Sequence, residues 1–396
     1  MAPDLVLGID IGNTVVKAVL FDLRGGQIAR YGIDGTTLKP APGMVERPPA
    51  ELWANARAAI AGCLEQANVD AARIAVIGLA GHGNGLYLLD KDGQPLLGIQ
   101  SLDSRAAALA AELDQRVGAA LHAICLQRPW PSQTPVLLAW LKTCRPDIYA
   151  RAGTLCFAKD IIGRQLTGTR ASEISDMSGA GLLRLPEARY DVELLELYGL
   201  ADALPLLPPL ALPTDVVGHV TPEAAAATGL REGTPVVAGY FDVVASALGS
   251  GAVGAEAASI VLGSWSINQT FAAAPASDPR IFMVAAFGRD RFANMDNSAT
   301  SAANLEWYVR SLIERGGHHA DPFGQVNELV GRAALAADDP MFHPFLYGGR
   351  NGAHQRGGFY GLAGWHDEGQ LLRALFEGVG FEHRRHVEVL TATGAQ

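Results

Sequence analysis

At 396 residues the chain exceeds one ordinary domain, so two lobes are the expectation. Its 41 acidic against 31 basic side chains give a formal charge of −10, which argues against a nucleic-acid surface built on a basic patch. An anionic nucleotide would have to be held by local devices: backbone amides, helix ends and a metal ion. The four cysteines, Cys63, Cys125, Cys144 and Cys156, have no Cys-x-x-Cys spacing, so neither structural zinc nor a disulfide framework is expected. With no basic leader and no apolar run of spanning length, the chain reads as a soluble, reduced, cytoplasmic protein.

In chain order, Leu5–Asp10 reads as a buried strand ending in an acid, Ile11-Gly12-Asn13 as a tight turn, and Thr14–Asp22 as a second strand. Gln27–Asp34 is a candidate third. A small turn flanked by Asp10 and Thr14 can offer amides and a hydroxyl to a phosphate, and the acid can hold a magnesium-bound water. It also fits a plain hairpin turn, where Gly and Asn are favoured. Pro48–Ala67 has helical spacing, and Arg73–Leu79 is the next buried strand. The latter runs into Gly81-His82-Gly83-Asn84-Gly85, whose glycines let the backbone approach something small and polar, or simply form a flexible connector. Asp103 and Arg105 precede an Ala-rich helix and read either as ligands for sugar hydroxyls or as a cap with a surface charge.

Pro131–Tyr149 is predicted to be a helix, and a second starts near Phe157 and stops at Gly168. Ser172–Gly179 reads as a polar loop. Tyr190–Pro209 reads as short helices and Pro-rich turns, and Thr221-Pro222-Glu223 as the capped start of a helix closed by Gly229. The lobe boundary is expected near 235, giving lobes 1–235 and 236–396. Behind the apolar run Thr234–Ala238 stands Asp242, at a strand-to-helix junction. There it is either a helix cap or a catalytic base held by two rigid elements. Ala258–Gln269 is again strand, Gly263-Ser264 turn, strand, repeating the design of Leu5–Val19. That doubling implies two like-folded lobes facing a cleft that holds ATP phosphates. No Gly-x-x-x-x-Gly-Lys-Ser/Thr occurs, and Gly249–Gly254 follows a helix, the wrong order for a dinucleotide fingerprint. His383 and His386 share a helical face and read as surface histidines.

Taken together, these stretches resemble the FGGY carbohydrate kinases of the actin-like ATPase superfold. Asp10–Thr14 resembles that family's first phosphate loop, Gly81–Gly85 its sugar-side loop, and Leu102–Arg105 its Trp-x-Asp-x-Arg element, with Ser101 in place of the Trp. Lys159-Asp160 and Asp176–Gly179 resemble its paired segments closing the first lobe. Phe241-Asp242 resembles its catalytic segment, Leu262–Trp265 its second phosphate loop, and Pro344–Leu362 its long C-terminal signature. The resemblance implies an α/β fold of two actin-like, ribonuclease H-like lobes with mixed sheets flanked by helices, and transfer of the γ-phosphoryl of ATP to a sugar. The sugar-side pattern is most like L-xylulose-type kinases, with erythritol kinases next. Asp242 is then the base, its ionised form favoured by the helix N-terminus. Asp10 anchors Mg²⁺. Gly12, Asn13, Thr14, Lys17, Gly263, Ser264, Gly348 and Gly349 hold the nucleotide, and His82, Asn84, Asp103 and Arg105, with Asp242, hold the sugar. The chain is expected to stop before the family's adenosine-binding end. Erythritol or glycerol as acceptor, a non-catalytic sugar sensor and a homodimer stay open at this stage.

Overall fold

The computed structural model describes residues 3–252, 254, 257–263, 265–317, 320–349 and 355–393. They fall into two compact units. The first takes the described residues up to 251 together with 273–279 and 284–293, and the second takes the rest. No described helix is long and apolar enough to cross a membrane.

The first unit is built on a mixed sheet. Strand β1 (Leu5–Ile11) buries Leu5, Leu7, Ile9 and Ile11 on one face and turns Val6, Gly8 and Asp10 to the other, the alternation a pleated strand demands. It pairs antiparallel with β2 (Val15–Asp22), which pairs antiparallel with β3 (Gln27–Asp34). Helix α1 (Pro49–Ala67) starts with a proline at its first turn, ends on Asn68 in the left-handed region and covers the buried face. Its Leu52 and Ile60 are fully buried against the β1–β2 core and contribute about 2 kcal/mol each. Strand β4 (Ile74–Gly81) lies parallel to β1. Three strands, β5 (Leu86–Asp90), β6 (Pro95–Ile99) and β7 (Ala152–Cys156), form a separate antiparallel sheet in the order β6-β5-β7. Helix α2 (Ala158–Thr167) follows and stops at Gly168, φ 73°.

The main sheet is completed by β8 (Val216–His219), β9 (Pro235–Val237) and β10 (Tyr240–Phe241), in the order β8-β9-β4-β1-β2-β3 with β10 also on β4. Helix α3 (Asp242–Gly249) leaves β10 directly. The expected boundary at 235 therefore falls inside the first unit, because β9 and β10 pair parallel with β4. Between them Gly239 has φ +84°, and a Cβ there would sit 1.9 Å from the Leu79 carbonyl oxygen. The kink needs glycine.

Two other expectations change. The helix predicted over 131–149 divides into Thr134–Cys144 and Pro146–Tyr149, since Pro146 disfavours a helical Arg145, found at φ −137° and ψ 60°. Ser172–Gly179 is no polar loop. It is a two-residue strand and a short helix, Ile174–Gly179, with every residue buried. Glu173 makes this possible by accepting from the amides of Ser175 and Asp176.

In the second unit, β11 (Ala258–Leu262) and β12 (Ser266–Ala272) form an antiparallel hairpin closed by Leu262 opposite Ser266. Strand β13 (Arg291–Ser298), of which residues 294–298 belong to this unit, runs beside β12, and helix α4 (Ala302–Tyr308) follows it. The long helix α5 (Glu368–Ala392) opens with a reciprocal cap between Asp367 and Gln370. It packs Leu372, Leu375 and Val379 against Tyr308, Val326 and Phe342.

Candidate functional site

Three parallel strands of the first unit end at one edge. Asp10 and Ile11 lie opposite Ala80 and Gly81, which in turn lie opposite Tyr240 and Phe241. Asp10, the Gly81–Gly85 loop and Asp242 therefore leave the sheet together, at the carboxyl ends where α/β sheets place ligands. Across two strand spacings, Asp10 and Tyr240 stand about 10 Å apart.

Asp242 is half-buried at the first position of α3. Burial, and next the charge of Asp10, raise its carboxyl to about 7, against the opposing effects of the Val243 amide and Lys17. The expectation that the helix start alone keeps it ionised is corrected, since loss of water outweighs that one amide. Asp10 is raised by burial as well and lowered by Lys17, whose Nζ lies 3.6 Å from its carboxylate as a cross-strand pair. Among the described residues no group of three or more His, Cys, Asp or Glu side chains gathers as a metal cage. A pair of carboxylates at one sheet edge fits a hard cation that keeps most of its waters.

The turn after β1 is held from behind. Arg47 Nη1 donates to the Gly12 carbonyl at 3.0 Å, Gln100 Nε2 to that of Asn13 at 2.6 Å, and the Gly35 amide to that of Thr14 at 2.6 Å. Asn13 Nδ2 is anchored on Ser101 Oγ at 2.9 Å. With all three carbonyls tied down, the amides of Asn13 and Thr14 have no protein partner among the described residues. Thr14 is exposed. This is the amide-lined concavity that suits a phosphate.

The Gly81–Gly85 loop is packed closely. A Cβ on Gly83 would lie 2.6 Å from Asp176 Oδ1 and 2.7 Å from the Phe241 ring, so the loop touches the residue just before Asp242. His82 is buried, its Nε2 is 3.1 Å from the Tyr87 hydroxyl, and its Nδ1 has no partner among the described residues. Burial, then the charge of Arg47, lowers its pKa to about 4, so the ring is neutral. Asn84, at φ 58°, donates to the Gly179 carbonyl at 3.4 Å, and its Oδ1 has no partner among the described residues. Buried polar atoms of this kind ask for a partner.

The sequence singled out Lys159-Asp160 and Asp176 only as segments resembling the family's, and did not show that they and Glu173 form one buried charge cluster beneath this loop. Lys159 is fully buried, with Nζ 2.7 Å from Asp176, 3.0 Å from Asp160 and 3.3 Å from Glu173. Burial, with three carboxylates sharing one ammonium, pushes Asp176 well above the usual carboxylate range, and burial raises Glu173 too. The available signal was charge inside apolar segments, Leu155–Ile162 and Ile174–Leu183. Asp103 and Arg105, expected as hydroxyl ligands, are instead each other's partners. The buried Asp103 carboxylate accepts from Arg105 Nε and Nη2 at 2.8 to 3.0 Å and from the Val45 amide at 2.6 Å. Arg105 also reaches Glu46 at 2.7 Å and lies over Trp140. They fix the 43–46 segment.

In the second unit the Gly263 carbonyl accepts from the Ala302 amide at 2.9 Å, and Ser264 lies outside the described residues. Gly348, at φ +87°, bonds its amide to the Phe345 carbonyl, and Gly349 packs against Gln355. His383 and His386 are buried, contrary to the surface reading. His386 Nδ1 is 2.8 Å from Asp296 and its Nε2 is 2.7 Å from Ser298 Oγ. His383 joins Asn268 at 2.8 Å to Ser266 at 3.1 Å. The strand surface facing α5 is polar, so the helix face that meets it is polar too.

Residues 5–249 match the model of the FGGY family of carbohydrate kinases, N-terminal domain. The chain is 33% identical to an L-xylulose/3-keto-L-gulonate kinase of Escherichia coli, over 96% of this chain and 76% of that one. It is 28% identical to an erythritol kinase of Brucella abortus, over 96% of this chain and 76% of the relative. The crystal structure of xylulose kinase from Rhodospirillum rubrum superposes with a TM-score of 0.88 at 30% identity, covering 99% of this chain and 80% of that one.

Proposed function

Because the chain belongs to the FGGY family of carbohydrate kinases, we propose that it moves the γ-phosphoryl of ATP onto a hydroxyl of a pentulose of the xylulose class, with Asp242 as general base. The observation that carries this reading is the common edge of Asp10, Gly81–Gly85 and Asp242, with the Asp242 carboxyl raised to about 7. A base of that pKa is half-ionised near neutral pH and takes a proton as the hydroxyl attacks. The xylulose-named relatives support the sugar class.

Phosphoryl transfer asks the protein mainly for positioning and charge stabilisation. The amides of Asn13 and Thr14 and the Thr14 hydroxyl grip phosphate oxygens, and Lys17 places a cation beside them. Asp10 would hold Mg²⁺, which offsets the charge on the β- and γ-phosphate oxygens. On the sugar side, Nδ1 of neutral His82 and Oδ1 of Asn84, both unpaired among the described residues, meet hydroxyls. Asp103 and Arg105 act by fixing the neighbouring segment.

The test is ADP release coupled to a reporter, with a panel of D- and L-pentuloses, erythritol and glycerol. Turnover favouring one pentulose is expected. Preference for erythritol or glycerol would overturn the sugar class, and sugar binding by calorimetry without turnover on any acceptor would overturn the kinase reading.

A further inference from the structure

We propose that Ser175 is a positioning residue for the reaction: its hydroxyl holds the backbone that leads into Asp242 and sets it in register with the sugar-side loop. This rests on the reading of Asp242 as the base and of Gly81–Gly85 as the sugar loop.

Helix α3 starts without a side-chain cap of its own, and Phe241, just before it, sits at φ −52° and ψ 130°. A cap and its flanking contacts ordinarily fix the angle at which a chain enters a helix. Here the fixing bond comes from elsewhere. The Phe241 amide donates to Ser175 Oγ at 2.9 Å, across 66 positions of sequence. An amide can only donate, so the hydroxyl accepts there and gives its single proton to Glu173 Oε1, 2.8 Å away.

Ser175 is itself firmly held. It is fully buried on the short helix Ile174–Gly179, whose Ser175 and Asp176 amides are taken by the Glu173 carboxylate. Lys159 Nζ stands 3.3 Å from that carboxylate. Further along, Ser178 Oγ accepts from the Ala286 amide at 2.8 Å, and Gln127 Nε2 donates to the Ser178 carbonyl at 2.6 Å. A helix anchored at both ends gives the Phe241 amide a fixed point.

The same bond also reaches the sugar loop. A Cβ on Gly83 would lie 2.6 Å from Asp176 Oδ1 and 2.7 Å from the Phe241 ring. Asp176 follows Ser175, and Phe241 precedes Asp242. The two residues that crowd Gly83 are therefore drawn together by the Ser175 hydroxyl, which spaces the base from the loop. His82 and Asn84 have other anchors, the Tyr87 hydroxyl and the Gly179 carbonyl. Loss of the hydroxyl should thus disturb the approach of base to acceptor more than the holding of the acceptor. A displacement of about 1 Å at a reacting group costs about 10²-fold in rate.

The test uses the full 396-residue chain, assayed well below the melting temperature of each variant. Ser175→Ala should lower kcat about 10- to 100-fold, with the KM for sugar and for ATP within about threefold of wild type. Ser175→Thr returns a hydroxyl and should bring kcat back to within about threefold of wild type. A hydroxyl that serves the fold alone would lower the melting temperature of Ser175→Ala and leave kcat unchanged. That result, an equal fall in kcat and sugar affinity, or a Ser175→Thr as slow as Ser175→Ala overturns the proposal. If Ser175→Ala does not fold, Ser175→Cys decides: it keeps the size, its thiol is a weak acceptor, and kcat should fall about tenfold. Wild-type turnover in that variant overturns the proposal. Hydrogen exchange of the Phe241 amide, followed by NMR, needs no turnover. It should be about tenfold faster in whichever of the Ala and Cys variants folds, with the β4 amides unchanged, and equal rates overturn the role of Ser175. A wild-type chain inactive on every acceptor, with the Phe241 exchange behaving as expected, would remove the kinase reading and leave the Ser175 bond standing.

Discussion

Replacing Asp242 by Asn separates a base from a helix cap by activity and stability at once. The wild-type carboxyl is raised from 3.8 to about 7 by burial and by Asp10. Its kcat/KM should therefore fall about tenfold per pH unit below that value and level off above it. The carboxamide of Asp242→Asn cannot take a proton, so turnover should drop about 10²- to 10⁴-fold while sugar affinity changes a few-fold. Stability should move the other way. A carboxyl whose folded pKa lies above its unfolded one favours the fold below the unfolded pKa, and loses that contribution as pH rises through the folded pKa. Wild-type stability should thus decline from about pH 4 to about pH 7, by at most ~1.4 kcal/mol per unit and by less here, because the half-exposed group retains some water. The Asn variant escapes this decline. It should melt above wild type at pH 8, with the gap closing near pH 4. A mere cap predicts otherwise: Asn caps as well as Asp and would leave melting unchanged at every pH. Turnover within tenfold of wild type, or a melting gap that ignores pH, refutes the reasoning.

Three further substitutions probe the supporting structure. Gly239→Ala places a Cβ 1.9 Å from the Leu79 carbonyl oxygen at a positive φ. It should cost about 2–4 kcal/mol in denaturant unfolding, and a loss below 0.5 would contradict the described kink. Asn84→Gly suits a backbone that already sits at φ 58° and removes the whole side chain, its long bond to the Gly179 carbonyl included. The KM for sugar should rise about tenfold with melting hardly changed, and an unchanged KM would take Asn84 out of the site. His386→Ala orphans the buried Asp296 and Ser298 and should cost about 2–4 kcal/mol, which a thermal melt reads directly. A variant that melts like wild type would restore the surface reading.

What the sequence revealed, and what it hid, follows from the range of the interactions. The β1–β2–β3 meander and α1 were readable because each buries one face, and alternation or helical spacing writes that face into local order. Asp10, His82 and Asp242 stood out because each breaks off an apolar run at a strand end. The boundary at 235 misled because the helix closed by Gly229 ends just before it, whereas the pairing that claims β9 and β10 involves a strand far back in the chain. The burial of Lys159 among Asp160, Glu173 and Asp176 was not legible because periodicity records which side is apolar and cannot register charges that neutralise each other inside. His383 and His386 were misjudged for the converse reason: their helix meets strands that present Asn268, Asp296 and Ser298. Asp103 and Arg105 show a third limit, since two residues of ligand type can satisfy each other.

The pairing of Phe241 with Gly81 also bears on how the chain reaches its working form. Lys159 and Asp176 meet across a short loop, which closes at little entropic cost. The strand just before Asp242, β10, must find a partner made about 160 residues earlier, and such distant pairings form slowly. During synthesis the sugar-side loop and its buried ions can assemble while β10 is still inside the ribosome. The nascent chain would then hold a sugar before it can react with it, and recovery of turnover on refolding would lag behind recovery of sugar binding.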